Sequence, residues 1–101
     1  MHPLSTVTAI VGAFFALSTW ACKPRATAAQ CDELITHYAD LVVKERIPDA
    51  PPAVTEAEQR RERTEAMHDD AFRNCPTELE PSAYACAMAA TTADALEKCV
   101  E

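Results

Sequence analysis

The cysteines are the residues whose type and spacing best suit chemistry, and the chain has five of them. Cys22 ends an apolar N-terminal stretch. The other four lie in the polar remainder, at Cys31, Cys75, Cys86 and Cys99. An odd thiol count in a secreted protein requires one cysteine to be modified, removed or paired with another chain. The distribution therefore predicts an exported chain in which the last four cysteines form two disulfides and Cys22 takes part in neither.

Redox catalysis and zinc binding both need closer cysteine spacing than this chain has. A thiol oxidoreductase uses a C-x-x-C pair at a helix N-terminus, where the helix dipole lowers the pKa of the attacking thiol. Zinc sites contain similarly short ligand pairs. Ten residues separate Cys75 from Cys86, and twelve separate Cys86 from Cys99. We therefore expect structural disulfides and keep a thiol-redox protein as an alternative function.

The four cysteines can pair in three ways. Cys86 and Cys99 are 13 residues apart, which is about 20 Å along one continuous helix. They can bridge only if the chain folds back at residues 91–92. Such a fold returns Cys99 toward Cys75 and leaves Cys86 to meet Cys31. We expect the bridges Cys31–Cys86 and Cys75–Cys99.

Histidines and carboxylates give a second, weaker site hypothesis. His37 and Asp40 lie about one turn apart on the first predicted helix, and the sequence His68-Asp69-Asp70 lies on the second. A copper site can also be drawn from Met67, His68 and Met88. No H-E-x-x-H or comparable ligand pair accompanies them. We predict no metal site and no cofactor, and a periplasmic metal-binding protein using His37 and His68 is kept as an alternative.

Enzymatic activity finds little support in the sequence. Ser82 is the one serine after the apolar stretch, and no G-x-S-x-G turn surrounds it. A domain this small also has little room for a pocket that encloses a substrate. We expect a non-catalytic protein.

Composition limits both the fold and the partners. The net charge is −7, whereas a nucleic-acid or anionic-surface binder needs clustered Lys and Arg, so we expect no nucleic-acid partner. The single glycine and abundant alanine suit helices and leave few turn residues for a β fold. About 80 residues follow Cys22, a size at which disulfides become useful. We predict an all-α fold, a small bundle of three to four helices stapled by two disulfides.

The N-terminal segment has the features of a signal peptide. The first 21 residues carry no charged side chain, and residues 7–17 form an apolar run of 11. That length is short for a bilayer span, which needs roughly 20 apolar residues. The segment resembles a bacterial lipoprotein signal, in which a small residue precedes the lipid-modified cysteine, as Ala21 precedes Cys22. Thr19, bulky Trp20 and the lack of a basic N-terminus depart from that pattern.

These features predict three segments: a signal peptide at residues 1–21, a tether at 22–29 and a helical domain at 30–101. Lipid on Cys22 would attach the chain to the membrane, as an outer-membrane lipoprotein of the bacterial cell envelope. The alternative is cleavage at the A-x-A sequence of residues 26–28, which would release a periplasmic or secreted protein of 73 residues. An uncleaved N-terminal anchor is the third reading.

The first predicted helix covers residues 28–46. Thr27 and Gln30 form a capping-box pair at its start, and Ile47-Pro48 ends it because the residue before proline avoids the α region. Apolar residues recur at helical spacing and predict the buried stripe. That stripe is Cys31, Leu34, Ile35, Tyr38, Leu41 and Val42.

Three further helices follow. A capping box that begins at Thr55 opens a helix over residues 56–74. Its charged first half is predicted to be a solvated face, with a dedicated charged binding surface as the alternative. Its packed stripe is predicted to be Ala57, Thr64, Met67, Ala71, Phe72 and Cys75. Pro81 begins an alanine-rich helix. Thr91, three residues before Asp94, precedes a last helix over 93–100.

Several short sequences carry a resemblance to known proteins. They are Cys31-Asp32-Glu33-Leu34, Asn74-Cys75-Pro76, Tyr84-Ala85-Cys86, Ala89-Ala90 and Leu96-Glu97-Lys98-Cys99. With them, residues 31–101 resemble small uncharacterised cysteine-containing lipoproteins of the myxobacterial type. The resemblance implies an exported helical domain and no activity. We expect an envelope binding or structural module with an unidentified protein partner, and a binding module would expose apolar surface near Tyr38 and Tyr84.

Overall fold

A computed structural model describes residues 24–101 of the chain. This part contains six helices and no strand, so the all-α prediction is confirmed. The helices are α1 (Ala28–Arg46), α2 (Pro52–Ala66), α3 (Asp70–Arg73), α4 (Cys75–Glu78), α5 (Pro81–Ala89) and α6 (Ala93–Val100). Four of them have eight residues or more and form the bundle, while α3 and α4 are four-residue turns. The predicted signal peptide and the lipidation at Cys22 lie outside the described residues.

Helix α1 has the predicted bounds because its caps form locally. The Thr27 hydroxyl accepts the backbone N–H of Gln30, and the Gln30 side chain accepts the N–H of Thr27. Its buried residues are Leu34, Ile35, Ala39, Leu41 and Val43. Val43 is buried where Val42 was expected, and α1 contacts four other helices, α2, α4, α5 and α6. A central helix packed on several sides buries a wider stripe than a surface helix does.

Helix α2 starts earlier and ends earlier than predicted. It begins at Pro52 with Pro51 as N-cap, so Thr55 lies inside the helix and donates its N–H to the Pro51 carbonyl. Proline suits the first helical position because its fixed φ is already helical and no N–H is needed there. The helix ends at Ala66 and not at residue 74, since the Asp69 side chain accepts the N–H of Ala71 and caps a new helix, α3.

This break changes the buried stripe of the predicted second helix. Glu62 and Ala66 are buried, whereas Ala57, Thr64 and Met67 are exposed. Beyond the break, Phe72 and Cys75 are buried as predicted. The turn at residues 67–69 redirects the chain toward α1, so a single helical periodicity cannot describe both halves.

Helices α5 and α6 form a second hairpin that folds back at residues 91–92, as predicted. Pro81 occupies the first turn of α5. The N-cap of α6 is Thr92, whose hydroxyl accepts the N–H of Ala95, and not Thr91. Leu96 and Ala87 are fully buried where the two helices meet α1. Burying a leucine side chain contributes roughly 1.5–3 kcal/mol.

The segment just before α1 belongs to the folded part. Ala26 is 4% exposed, and its N–H donates to the carbonyl of Leu79 over 3.0 Å. Leu79, which follows α4, is buried in the same cluster. Packing therefore begins within residues 22–29, the stretch assigned to the tether. None of the helices of residues 24–101 combines the length and the hydrophobicity that a bilayer span requires.

Candidate functional site

The four cysteines of the described part all form disulfides, but the predicted pairing is wrong. The bridges are Cys31–Cys75 and Cys86–Cys99, with Cα–Cα distances of 5.9 and 5.7 Å. The fold-back at residues 91–92 occurs, and it lays α6 against α5 so that Cys99 meets Cys86. The short turns α3 and α4 return Cys75 to the first turn of α1, beside Cys31.

The histidines do not form a metal-binding group with the carboxylates. His37 is half-buried, and its Nε2 lies 2.9 Å from the carbonyl oxygen of Ala90. His68 is exposed in the turn after α2. Asp40 accepts a hydrogen bond from Gln59. Within residues 24–101, no group of three or more His, Cys, Asp or Glu side chains is arranged to hold a metal ion.

The two tyrosines hold helices together and do not form an apolar patch. The Tyr38 ring lies 4.8 Å from the Phe72 ring, centroid to centroid, and its hydroxyl donates to Glu97 over 2.7 Å. The Tyr84 hydroxyl donates to Glu33 over 2.7 Å. Burial, and then the bond to Glu97, raises the pKa of Tyr38. The bond to Glu33 raises the pKa of Tyr84.

Exposed apolar surface lies on another face of the molecule. Among residues 24–101, the large hydrophobic side chains exposed to solvent are Met67, 51% exposed, and Val54, 47% exposed. Val54 lies in the first turn of α2. Met67 lies at the C-terminal end of α2, at the edge of an open groove. The groove, rather than the tyrosines, is the place where apolar surface meets a binding cavity.

This arginine-rimmed groove has a volume of about 570 Å³ and lies between the first half of α1 and the second half of α2. Residues of α3 and α4 also line it. Apolar side chains form its floor and one edge, and three guanidinium groups form its rim. The apolar residues are Ile35, Met67 and Phe72, and the rim residues are Arg60, Arg63 and Arg73.

Two of the three rim guanidinium groups form ion pairs with carboxylates, and the third forms none within the described residues. Arg63 Nη2 lies 2.6 Å from Asp32 Oδ1, and Arg73 pairs with Asp70 on its own short helix. Arg60 takes part in no ion pair within the part of the chain that the structure describes. A chain of net charge −7 thus presents a local cationic site beside apolar surface.

A second cavity of about 680 Å³ adjoins the groove and shares Asp32, Arg60 and Arg63 with it. Its other walls are mostly polar or acidic, with Glu33 and Glu56 among them. A polar open cavity is readily filled by water. Ligand sites combine an apolar lining with a few polar groups, so the arginine-rimmed groove is the better candidate.

Covalent and ionic contacts join the helices that line the groove. The Cys31–Cys75 disulfide ties α1 to α4, and Cys31 is part of the lining. The Arg63–Asp32 ion pair joins α2 to α1 at the groove itself. Outside the groove, at the C-terminal end of α1, Arg46 Nη2 lies 2.8 Å from Oε1 of Glu62 on α2, and Glu62 is only 7% exposed. The groove therefore lies between helices that are linked by covalent and ionic contacts.

Arg60 and Arg63 lie in the charged stretch that was predicted to be a solvated face, with a charged binding surface as the alternative, and one signal for the groove is present in the sequence. Arg60, Arg63 and Thr64 precede Met67 by seven, four and three residues, so all four lie on one face of α2. Arg73, on α3, reaches the groove only because the chain turns at residues 67–69. Residue spacing within one helix does not predict that turn.

Comparison with known proteins assigns no role to the groove. No protein-family model, curated protein or solved structure matches this chain. The geometry and charge of residues 24–101 are therefore the basis for the function proposed below.

Proposed function

We propose that this chain is an exported, non-catalytic binding module of the bacterial cell envelope, held at the membrane by lipid on Cys22. The observation that carries this proposal is the arginine-rimmed groove, an open apolar site with fixed walls in a domain of two stapled hairpins. Its side chains suit the binding of an anion that has an apolar part.

The disulfides support export. Structural disulfides persist in oxidising compartments and are rare in the cytosol. Both bridges join different helices, so both brace tertiary structure. They use all four cysteines of residues 24–101, which leaves Cys22 over from the total of five. Lipid on Cys22 accounts for the odd cysteine.

The start of the fold favours lipidation of Cys22 over cleavage after Ala28. A cut there would remove Thr27, the N-cap of α1, together with buried Ala26 and its bond to Leu79. Losing an N-cap alone costs about 1 kcal/mol. Maturation at Cys22 keeps all of these contacts.

Intact mass spectrometry of the protein purified from bacterial membranes tests the proposal. We expect an N-terminus at Cys22 with attached lipid, and no alkylation of the remaining cysteines before reduction. Cys22→Ala should abolish the lipid mass and move the protein out of the membrane fraction. Ser82→Ala, at an exposed position of α5, is the matched control and should leave both unchanged. A cytosolic protein with free thiols would contradict the proposal.

A further inference from the structure

We propose that the arginine-rimmed groove binds a fatty carboxylate, with the alkyl chain against Ile35, Met67 and Phe72 and the carboxylate at Arg60. The inference rests on the proposed function, because it takes the groove as the site of the binding module. It adds the chemical class of the ligand.

The apolar part of the groove suits an alkyl chain. Ile35 and Phe72 are buried in the floor, and Met67 stands at the edge with half of its surface in water. A cavity of about 570 Å³ falls within the roughly 300–1,000 Å³ of small-molecule sites. Methionine side chains are flexible and adapt to the shape of an apolar ligand. An alkyl chain in the groove would cover the apolar surface that Met67 exposes.

The rim selects a carboxylate at one end of that chain. Arg63 and Arg73 already pair with Asp32 and Asp70, whereas Arg60 pairs with no carboxylate within residues 24–101. A guanidinium binds a carboxylate through two parallel N–H···O bonds. Arg60 also lies where the groove meets the polar cavity, so a carboxylate bound to it stays hydrated on its outer side.

Charge argues against the other occupants of such a groove. Residues 1–23 contain no Asp or Glu, so the N-terminal segment has no side-chain anion for the rim. A polyanion would be repelled by the net charge of −7, and that repulsion grows with the charge of the ligand. A cationic amphiphile would meet three guanidinium groups. A single negative charge at the end of an alkyl chain can pair with the rim and is repelled less by the net negative charge of the molecule than a polyanion is.

Photo-crosslinking in isolated membranes tests the ligand with the protein as it exists. The probe is dodecanoate carrying a diazirine in its alkyl chain, and peptide mapping locates the label. We expect labelled peptides from the second half of α2, α3 or the first half of α1. Unlabelled dodecanoate should compete with the probe, and dodecyltrimethylammonium, of the same chain length, should not.

Paired variants separate the groove from nonspecific labelling. Arg60→Gln should weaken probe binding about tenfold, since it removes a charge-assisted contact. Arg61→Gln makes the same charge change one residue along α2, where Arg61 pairs with Glu58 and Glu65 outside the groove, and should leave binding unchanged. Met67→Ser should weaken binding roughly threefold or more. Val54→Ser removes the other exposed hydrophobic side chain and should have no effect.

Several outcomes would overturn the fatty-carboxylate assignment. These are equal labelling of the Arg60→Gln and Arg61→Gln variants, equal competition by the cationic amphiphile, and label confined to residues outside the groove. A dimer in sedimentation that Met67→Ser dissociates would also overturn it, because a second copy would then cover the groove. An exported, lipid-bearing protein without groove labelling would overturn the ligand and leave the proposed function standing. A reduced cytosolic protein would overturn the proposed function whatever the labelling shows.

Discussion

At the scale of single residues, two tyrosine hydroxyls join the first hairpin to the second. Tyr38 on α1 donates to Glu97 on α6, and Tyr84 on α5 donates to Glu33 on α1. The two contacts differ in environment, because the Tyr38 ring packs on Phe72 whereas Tyr84 lies nearer to solvent. Burial disfavours a phenolate, and a neighbouring carboxylate disfavours it further. The protonated state of Tyr38 is therefore part of the folded structure.

This protonation makes stability depend on alkaline pH. The unfolded chain releases the Tyr38 proton near pH 10, whereas the folded chain keeps it to higher pH because its pKa is raised. The folded state then binds more protons above about pH 10, so the free energy of unfolding falls as pH rises through this range. Below it the stabilisation from Tyr38 is fully present and does not change with pH. Urea unfolding followed by circular dichroism across this range measures the slope.

The variant Tyr38→Phe isolates the effect. It should lower the free energy of unfolding near neutral pH by about 1 kcal/mol, for one lost hydrogen bond, and flatten the decline above about pH 10. Tyr84→Phe is the matched control, since it removes the other hydroxyl bond to a carboxylate at a less buried position. A Tyr38→Phe variant that declines as steeply as the natural chain would contradict the assignment.

At the scale of the helices, local capping decides which bounds are predictable. Helix α1 begins and ends as predicted because Thr27, Gln30 and Ile47 act on their own neighbours. Helix α2 offers two start signals three residues apart, Pro52 and Thr55, and the earlier one prevails. Its end depends on Asp69, whose side chain can continue a helix or cap the next. Tertiary packing of Phe72 against Tyr38 accompanies the second outcome, and no local pattern contains that contact.

Two threonines that look alike in the sequence should therefore respond differently to mutation. Thr27→Ala removes a real N-cap and should lower the free energy of unfolding by about 1 kcal/mol. Thr55→Ala lies inside α2, where the threonine caps nothing, and should change it by less than about 0.5 kcal/mol. Chemical denaturation of both variants measures the difference. Equal losses would mean that α2 starts at the capping box after all.

The packing of α2 on α1 includes one half-buried ion pair. Arg46 is half exposed, while the Glu62 carboxylate beneath it is almost completely covered. Arg46→Ala should lower the free energy of unfolding by about 1–2 kcal/mol, because it leaves a buried carboxylate without its partner. Arg61→Ala removes an exposed pair with Glu58 and Glu65 and should lower the free energy of unfolding by less than Arg46→Ala does, because water screens an exposed ion pair.

A second substitution shows whether the unpaired Glu62 carboxylate causes the stability loss of the Arg46→Ala variant. In the Arg46→Ala background, Glu62→Gln replaces the buried carboxylate by a neutral amide and should recover part of the lost stability. Urea denaturation of the single and double variants gives the coupling between the two positions. A double variant that is less stable than Arg46→Ala would show that Glu62 is stabilised by other contacts.

At the scale of the whole molecule, charge and sulfur are distributed unevenly, and sequence totals conceal this. The net charge of −7 argues against a nucleic-acid or anionic-surface binder, but it does not show that the rim of the groove gathers three of the nine basic residues. Arg60 and Arg63 come from α2 and Arg73 from α3. The groove exists only because the chain turns between those helices and because Cys75 pairs with Cys31. The turn and the cysteine pairing both depend on tertiary contacts, so the class of fold was predictable from the sequence and the site was not.

The two disulfides brace different parts of the structure. Cys31–Cys75 spans 44 residues and joins α1 to α4 in the core, where Cys75 is 1% exposed. Cys86–Cys99 spans 13 residues and closes the α5–α6 hairpin, with Cys86 at the surface. In the chain-entropy account, loops of these lengths correspond to about 4 and about 3 kcal/mol of stability. The longer bridge therefore contributes more to the fold and is harder to reach.

This asymmetry predicts the order in which the bridges open. Reduction needs a thiolate to reach a sulfur atom, so a graded series of reductant should open Cys86–Cys99 first while the helices around the groove stay folded. Opening Cys31–Cys75 should require higher reductant concentrations and coincide with loss of helicity. Alkylation at each step with peptide mapping, alongside circular dichroism, follows both events. The double variant Cys86→Ser/Cys99→Ser should lose about 3 kcal/mol and Cys31→Ser/Cys75→Ser about 4 kcal/mol or more. If Cys31 and Cys75 are alkylated first, the core around α1 is more open to solvent than its packing indicates, and the disulfide does not hold the groove.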